Sequence, residues 1–319
     1  LYIKVVRGFL KEGDTITVKF GDKSKGSPGM RLQTFCEESY EFHTLVDPIA
    51  TYCYQPMPEQ PTIKIVPGPA ERFLAIGPTI RAVGEPFQIK IKGEDKWGNP
   101  TNLCDYEFDA VSTCKIEGLP KKVTLKPGEF TATVSDLRVQ TAEDFTVKFT
   151  NDVNNIAFET NPIRIEEKPQ SRHFWGDLHG QSEETIGTNS AEAYFKFARD
   201  LAFVDVSGHQ GNDFQITTDF WKHLDELCKK FNQDGKFIAI PGYEWSGNTG
   251  LGGDRNIYFP TEGRTLRRSS HALVSDHSDI STDCNSATEL FSAFAENDES
   301  DVVVSVSYTH LTLPTMELV

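Results

Sequence analysis

The chain has no Cys-x-x-C pair among its six cysteines, and no apolar run approaches the ~20 residues of a membrane helix. The first absence removes zinc ribbons and thioredoxin-type redox motifs, and the second removes a helical membrane span. Positive charge is also scarce: 32 Lys and Arg against 47 Asp and Glu leave a formal charge of −15. Phosphate contacts dominate nucleic-acid affinity, so a general nucleic-acid surface is not expected, although a local basic pocket stays open. With 38% apolar and 25% charged residues the composition is that of an ordinary globular protein, and 319 residues are enough for two or three domains. Cys104 and Cys114 are read as reduced fillers of a β core, with a disulfide between them the alternative in an exported protein. The compartment stays open, with the cytoplasm favoured. The chain begins at Leu1 rather than Met, so a native start and any signal peptide can lie upstream.

What is present falls into two halves with different periods. In residues 1–62, Tyr2–Val6 and Thr15–Phe20 alternate apolar with polar positions between glycine turns, which predicts part of a small β domain. Residues 63–168 carry short strands, clearest at Phe87–Ile91, Val123–Leu125, Phe130–Val134 and Phe145–Phe149, and predict an immunoglobulin-like sandwich plus linker. No cluster of His, Cys or carboxylates is visible there, although the β domains could recognise a protein partner. Beyond the polar linker Glu166–Gln170 the period lengthens. Tyr194, Phe195, Ala198 and Leu201, then Phe220, Leu224, Leu227 and Phe231, trace helical faces, with Asn189 as the expected start of the first. Strands at Phe203–Val206, Phe237–Ile240 and Asn256–Phe259 alternate with these helices, which predicts a parallel sheet, open or closed into a barrel.

Three strand-to-loop junctions stand out: Gly176-Asp177-Leu178-His179, Ser207-Gly208-His209 and Pro241-Gly242-Tyr243-Glu244. They recur at roughly the length of one βαβ unit, so His179, His209 and Glu244 are expected on one rim. Two imidazoles and a carboxylate suit a divalent transition metal such as zinc, manganese or iron, which would activate a bound water.

These three motifs resemble those of the PHP superfamily, the polymerase and histidinol phosphatase metallohydrolases, and within it an uncharacterised PHP-like family in which the domain follows β-rich segments. The likeness is good over Arg172–Ser305. It implies an α/β domain at residues 169–305, the first part of an incomplete (β/α)7 barrel with metals at its rim, and phosphoester hydrolysis of a small anionic substrate. By motif position His179 and His209 carry over as ligands and Glu244 as a metal-bridging carboxylate. Departures are equally plain. Gln181 stands where the first motif has its second histidine, Gly208 replaces an acid, and Asp254-Arg255-Asn256 stands where relatives tend to have His-Arg-Asn, making Asp254 an oxygen ligand. Asp177 and Gln181 are weaker or outer partners, and Arg255, Arg267 and Arg268 are the expected catalytic phosphate clamp. His271 and His277 are read as polar-loop residues. The competing reading is a non-catalytic scaffold with a degenerate barrel. Val306–Thr315 resembles a translated sequencing adaptor, so residues 306–319 are read as a non-native tail and His310 is set aside as a ligand. The resemblance places the family's later ligands beyond Ser305.

Overall fold

The computed structural model describes residues 2–247 and 252–308. His310 and the tail from residue 309 lie outside the described residues, while residues 306–308 continue a strand.

Residues 2–36 contain no strand, which corrects the expectation for Tyr2–Val6 and Thr15–Phe20. Their alternating side chains, Val6 and Phe20 among them, stand exposed. Alternation stabilises a strand only when a partner strand and a core receive it. The first paired strand is Glu37–Glu41, antiparallel to Thr62–Ile65.

From residue 72 the chain builds two antiparallel sheets. We label the main strands β1 (Arg72–Ile76), β2 (Phe87–Glu94), β3 (Tyr106–Ser112), β4 (Lys122–Leu125), β5 (Thr131–Leu137), β6 (Val147–Asn151) and β7 (Ile156–Glu159). One sheet runs β4-β3-β6-β7 and the other β5-β2-β1. The period-two pattern turns Ile89, Ile91, Phe108, Leu125, Val147 and Phe149 into one shared core. The rings of Phe73, Phe108 and Phe158 meet at its end with centroids 5.0–5.6 Å apart.

The third part comprises β8 (Gly176–Gly180), α1 (Ala191–Phe197), β9 (Val206–His209), α2 (Thr218–Phe231), β10 (Ile238–Ile240), β11 (Gly242–Ser246), β12 (Asp254–Tyr258), α3 (Ala287–Glu296) and β13 (Val303–Tyr308). The three helices start at Ser190, Thr217 and Ser286, each accepting a backbone N–H of the first turn. Asn189, expected as the first cap, instead takes a left-handed conformation at φ 57. Strands β8, β9 and β10 form a parallel sheet in chain order, and the helices cover it through Phe195, Leu224, Leu227 and Phe231.

The parallel order stops at β10. Strands β11, β12 and β13 pair antiparallel, so the described residues form no (β/α)7 barrel, and the expectation of an α/β barrel is corrected. The reason is the connection: only Gly247–Gly253 join β11 to β12, too few residues for the dozen or more of a parallel crossover. Overall, strands dominate and the helices are short. Among the described residues no helix is long and apolar enough to cross a membrane. All six cysteines are free, and Cys104, Cys228 and Cys284 are buried.

The sandwich grips the third part through two lysines of β2. Helix α1 runs on into a π-helical turn, Ala198–Ala202, whose carbonyls at Arg199 and Leu201 accept Lys90 Nζ at 3.3 Å and Lys92 Nζ at 2.7 Å. Both ammonium groups also lie 5.2 Å from the Phe203 ring centroid. Cations suit the carbonyl end of a helix, and Lys92 is further paired with buried Glu94 at 2.9 Å. Lys92→Ala should therefore lower unfolding stability by about 2–3 kcal/mol in urea, since a buried charged hydrogen bond is lost while Arg72 still holds Glu94. Lys122→Ala, which removes an exposed pair with Glu107, should leave the midpoint unchanged.

Candidate functional site

The rim lies where β8 and β9 end and β11 begins. Gln210 N donates to Gly180 O at 2.7 Å and Glu244 N to Gly211 O at 2.9 Å, so the 210–212 turn binds the ends of β8 and β11 together. Gly180 has to be glycine: a Cβ there would stand 2.0 Å from the Tyr194 ring, whose hydroxyl shares a 2.6 Å hydrogen bond with Ser207 Oγ.

His179 sits at an irregularity in the β8–β9 register between Asp177 and Gly180, and its N–H donates to Asp177 Oδ1 at 3.1 Å. A bulge of this kind re-aims a side chain. The imidazole bonds Asn256 Oδ1 through Nδ1 at 2.8 Å, while Nε2 faces Glu244 Oε2 across 3.8 Å. Glu244 is buried; Asn212 Nδ2 donates to its Oε2 at 3.1 Å and Ser307 Oγ to its Oε1 at 2.6 Å. Asp254, half-buried at the start of β12, has its carboxyl pushed up by burial and by the negative charge of Glu244. His179, Glu244 and Asp254 thus share one neighbourhood.

His209 is turned away from it. Its Nδ1 accepts the Gly211 N–H at 3.2 Å and its Nε2 shares a 2.7 Å hydrogen bond with buried Ser182 Oγ. Burial pushes its pKa down to about 4, so the ring is neutral near pH 7. Both nitrogens are already engaged, which leaves no lone pair aimed at the His179–Glu244 gap. Gln181 is also occupied, its Oε1 accepting Thr185 Oγ1 at 2.9 Å.

The expected arginine clamp is dispersed. Arg267 is buried against Glu299 at 2.7 Å with Phe294 under its guanidinium, and Arg268 is wholly buried, bonding Ile216 O and Asp279 Oδ2 at 2.9 Å each. Arg255 alone of the three stays at the rim, half-buried, with Nη1 on the Asp254 carbonyl at 2.9 Å.

Several rim and loop residues escaped the sequence reading. His271 is not a solvated loop histidine: its side chain is 4% exposed, with Nδ1 2.6 Å from Asp283 and Nε2 3.1 Å from Asp279. Burial opposes ionisation of Asp279, yet hydrogen bonds from Arg268, His271 and Thr218 bring its pKa down to about 2. Asp213, fully buried, accepts from Ser269 N and Oγ, Ser246 N and Phe214 N, joining the 264–285 loop to β11. No charge partner in the sequence flagged it, because its partners are backbone amides and one serine hydroxyl.

A divalent ion holding one nitrogen and one oxygen at about 2.1 Å each in a tetrahedron separates them by about 3.4 Å. The 3.8 Å between His179 Nε2 and Glu244 Oε2 is close to that spacing and too long for a hydrogen bond, so this pair fits a shared cation. The wider expected set does not: among the described residues no three His, Cys, Asp or Glu side chains are grouped as a metal would require.

Residues 152–310, just under half of the chain, match the family model described as "Protein of unknown function (DUF3604)". The chain is 25% identical over 272 residues to an uncharacterised protein of Chlamydia pneumoniae, covering 82% of this chain and 43% of that protein. An uncharacterised protein of Chlamydia trachomatis is 23% identical over 245 residues, covering 74% and 39%. The chain thus spans less than half the length of these curated relatives. Among solved structures, the D00-D0 domain of intimin aligns over 34% of this chain and 56% of that one, at 12% identity and a TM-score of 0.24, too low to bear on the fold.

The carboxyl of Asp213 yields a pH test. Burial raises its pKa from 3.8 to about 6, so the folded protein holds this proton more tightly than the unfolded chain. Its contribution to stability is complete below pH ~4 and is lost as pH rises through ~6. Urea unfolding from pH 4 to 7 should show wild type losing about 2–3 kcal/mol relative to Asp213→Asn, most of it between pH 4 and 6.

Proposed function

We propose that the protein is a metal-dependent hydrolase of the phosphoester type, with His179 and Glu244 as the pair that holds a divalent cation. One observation carries the reading. An imidazole anchored through Nδ1 presents Nε2 to a buried carboxylate at 3.8 Å, too long for a direct hydrogen bond and near the spacing of two donors on one cation. The resemblance of the Gly176–His179, Ser207–His209 and Pro241–Glu244 motifs to metallohydrolases supports the reaction class. When bound, zinc, manganese or iron would acidify a water and polarise a phosphoryl oxygen.

The remaining work falls to the chain itself. Asn212 fixes the Glu244 carboxylate, and Asp254 adds an oxygen donor nearby. Arg255 is the cation placed to bind an anionic substrate oxygen through its remaining guanidinium N–H groups. The inward turn of His209 favours a second reading, a binding or scaffold protein in which part of the ligand set has been given over to packing. Its partner-recognition surface would then lie on the β-rich part.

Elemental analysis separates the two. His179→Ala and Glu244→Ala should each strip bound metal, and unchanged metal content in both would sink the site. With manganese or zinc added, a panel of phosphomonoesters and phosphodiesters should be turned over by the full-length protein, because the resemblance places further ligands beyond Ser305. Arg255→Ala should weaken an anionic substrate by about tenfold, the value of one charge-assisted hydrogen bond, and a neutral ester much less. No metal and no turnover would favour the scaffold.

A further inference from the structure

We propose that the 264–285 loop carries a pH-sensitive latch: His271, protonated on both ring nitrogens, clamps Asp279 and Asp283 and holds the loop shut, and loss of one of those protons releases it. The latch is independent of the cation reading of the rim, since its members lie on the loop. Both imidazole nitrogens face carboxylates, Nδ1 at 2.6 Å from Asp283 Oδ2 and Nε2 at 3.1 Å from Asp279 Oδ1. An ionised carboxylate only accepts, so each nitrogen needs its own proton, and the imidazolium alone has two.

A neutral ring fits less well. With its one proton on Nδ1 it could accept from Arg268 Nη1 at 3.3 Å, but the same Nε2 lone pair would stand 3.1 Å from Asp279 Oδ1. That Nη1 lies closer to Asp279 Oδ2, at 2.9 Å. With the imidazolium, Arg268 and His271 balance two carboxylates; without it one negative charge is left over among side chains that water barely reaches. Other groups nearby are His277, with its ring centroid 5.4 Å from that of His271, exposed Asp276, and Asp213, which accepts from Ser269 two residues along the loop. Helix α2 contributes the Thr218 hydroxyl, 2.9 Å from Asp279. The clamp joins the two halves of the loop, and between them the Leu273 N–H donates to Phe214 O at 3.3 Å, ahead of α2. The imidazolium belongs to the closed loop. Closure is therefore complete below the pH at which an unclamped imidazole titrates, ~6.5, and is lost as pH rises above it, by up to about tenfold per pH unit.

Hydrogen exchange of the 319-residue chain from roughly pH 6.5 to 9, corrected for the intrinsic rate, should show protection at residues 271–283 falling as pH rises. Asp213→Asn, which removes the other buried titrating group of the loop, should show the same fall. His271→Gln should be poorly protected and flat in pH. Long-range proton–nitrogen NMR of histidine-labelled wild type at about pH 7, with His271 identified by its loss in His271→Gln, should show both ring nitrogens protonated. Asp283→Asn, which keeps a hydrogen-bonding group and removes one charge, should move the fall in protection to lower pH and keeps the test valid if the glutamine variant fails to fold. A singly protonated ring in wild type would overturn the proposal. So would a flat wild-type profile, a pH dependence that survives in His271→Gln, or one left unmoved by Asp283→Asn.

Discussion

The pairing of Glu244 with Asn256 across the β11–β12 hairpin is the constraint on which the rim depends. Side chains alternate faces along a strand, so a slip of one residue would turn Glu244 and Asn256 to opposite sides and leave His179 at most one of them. Several contacts hold that register. Buried Tyr243 and Trp245 flank Glu244 and face the core, and Trp245 Nε1 donates to the Cys284 carbonyl at 2.9 Å. Ile257 and Phe259 do the same work from the partner side. The apolar residues on one face therefore determine where the polar residues on the other must point.

Charge in this part of the molecule is spent largely on holding loops. Arg268, His271, Asp279 and Asp283 form a buried network that closes the 264–285 loop over the start of α2, and Asp213 continues it to β11. Removing one member of such a network leaves its partners buried and unpaired, which costs far more than an exposed pair contributes. Arginines in this role are unavailable for a substrate. The electrostatic surroundings of the rim are set instead by Glu244, Asp254 and Arg255.

The sequence made the helices legible and left the strand bounds and the topology hidden. The helical faces of α1 and α2 followed from their spacing, whereas the expected junctions are shifted: Gly176–Gly180 and Val206–His209 are themselves the strands, and Glu244 lies within Gly242–Ser246 rather than in a loop after Phe237–Ile240. Strand direction after β10 stayed hidden, because periodicity reports which face is buried and is silent about parallel or antiparallel pairing. The short Gly247–Gly253 connection was the available signal. Arg267 and Arg268 misled for a related reason: a basic pair in a polar loop reads as solvated or substrate-facing, and only tertiary contact with Glu299 and Asp279 reveals it as core. Asn256 was visible within Asp254-Arg255-Asn256, yet its hydrogen bond to His179 joins positions 77 apart in sequence.

The hydrogen bonds of the Gln181 turn and of His209 are mechanically coupled. Where a second first-motif histidine would stand, Gln181 bonds Thr185, and the next residue, Ser182, occupies His209 Nε2. The Gly211 N–H takes Nδ1. Together these hydrogen bonds tie the 181–185 turn to the end of β9 and satisfy polar atoms that burial would otherwise leave costly. A cation recruiting His209 would have to break the Ser182 bond and reopen the buried turn, whereas His179 Nε2 and Glu244 Oε2 already face each other across 3.8 Å. On the metal-site reading the chemistry is therefore displaced from the β9 end toward β11 and β12, where the additional donors are oxygens from Asp254 rather than a second imidazole. On that reading, replacing imidazole with oxygen donors shifts the preference from zinc toward manganese or magnesium.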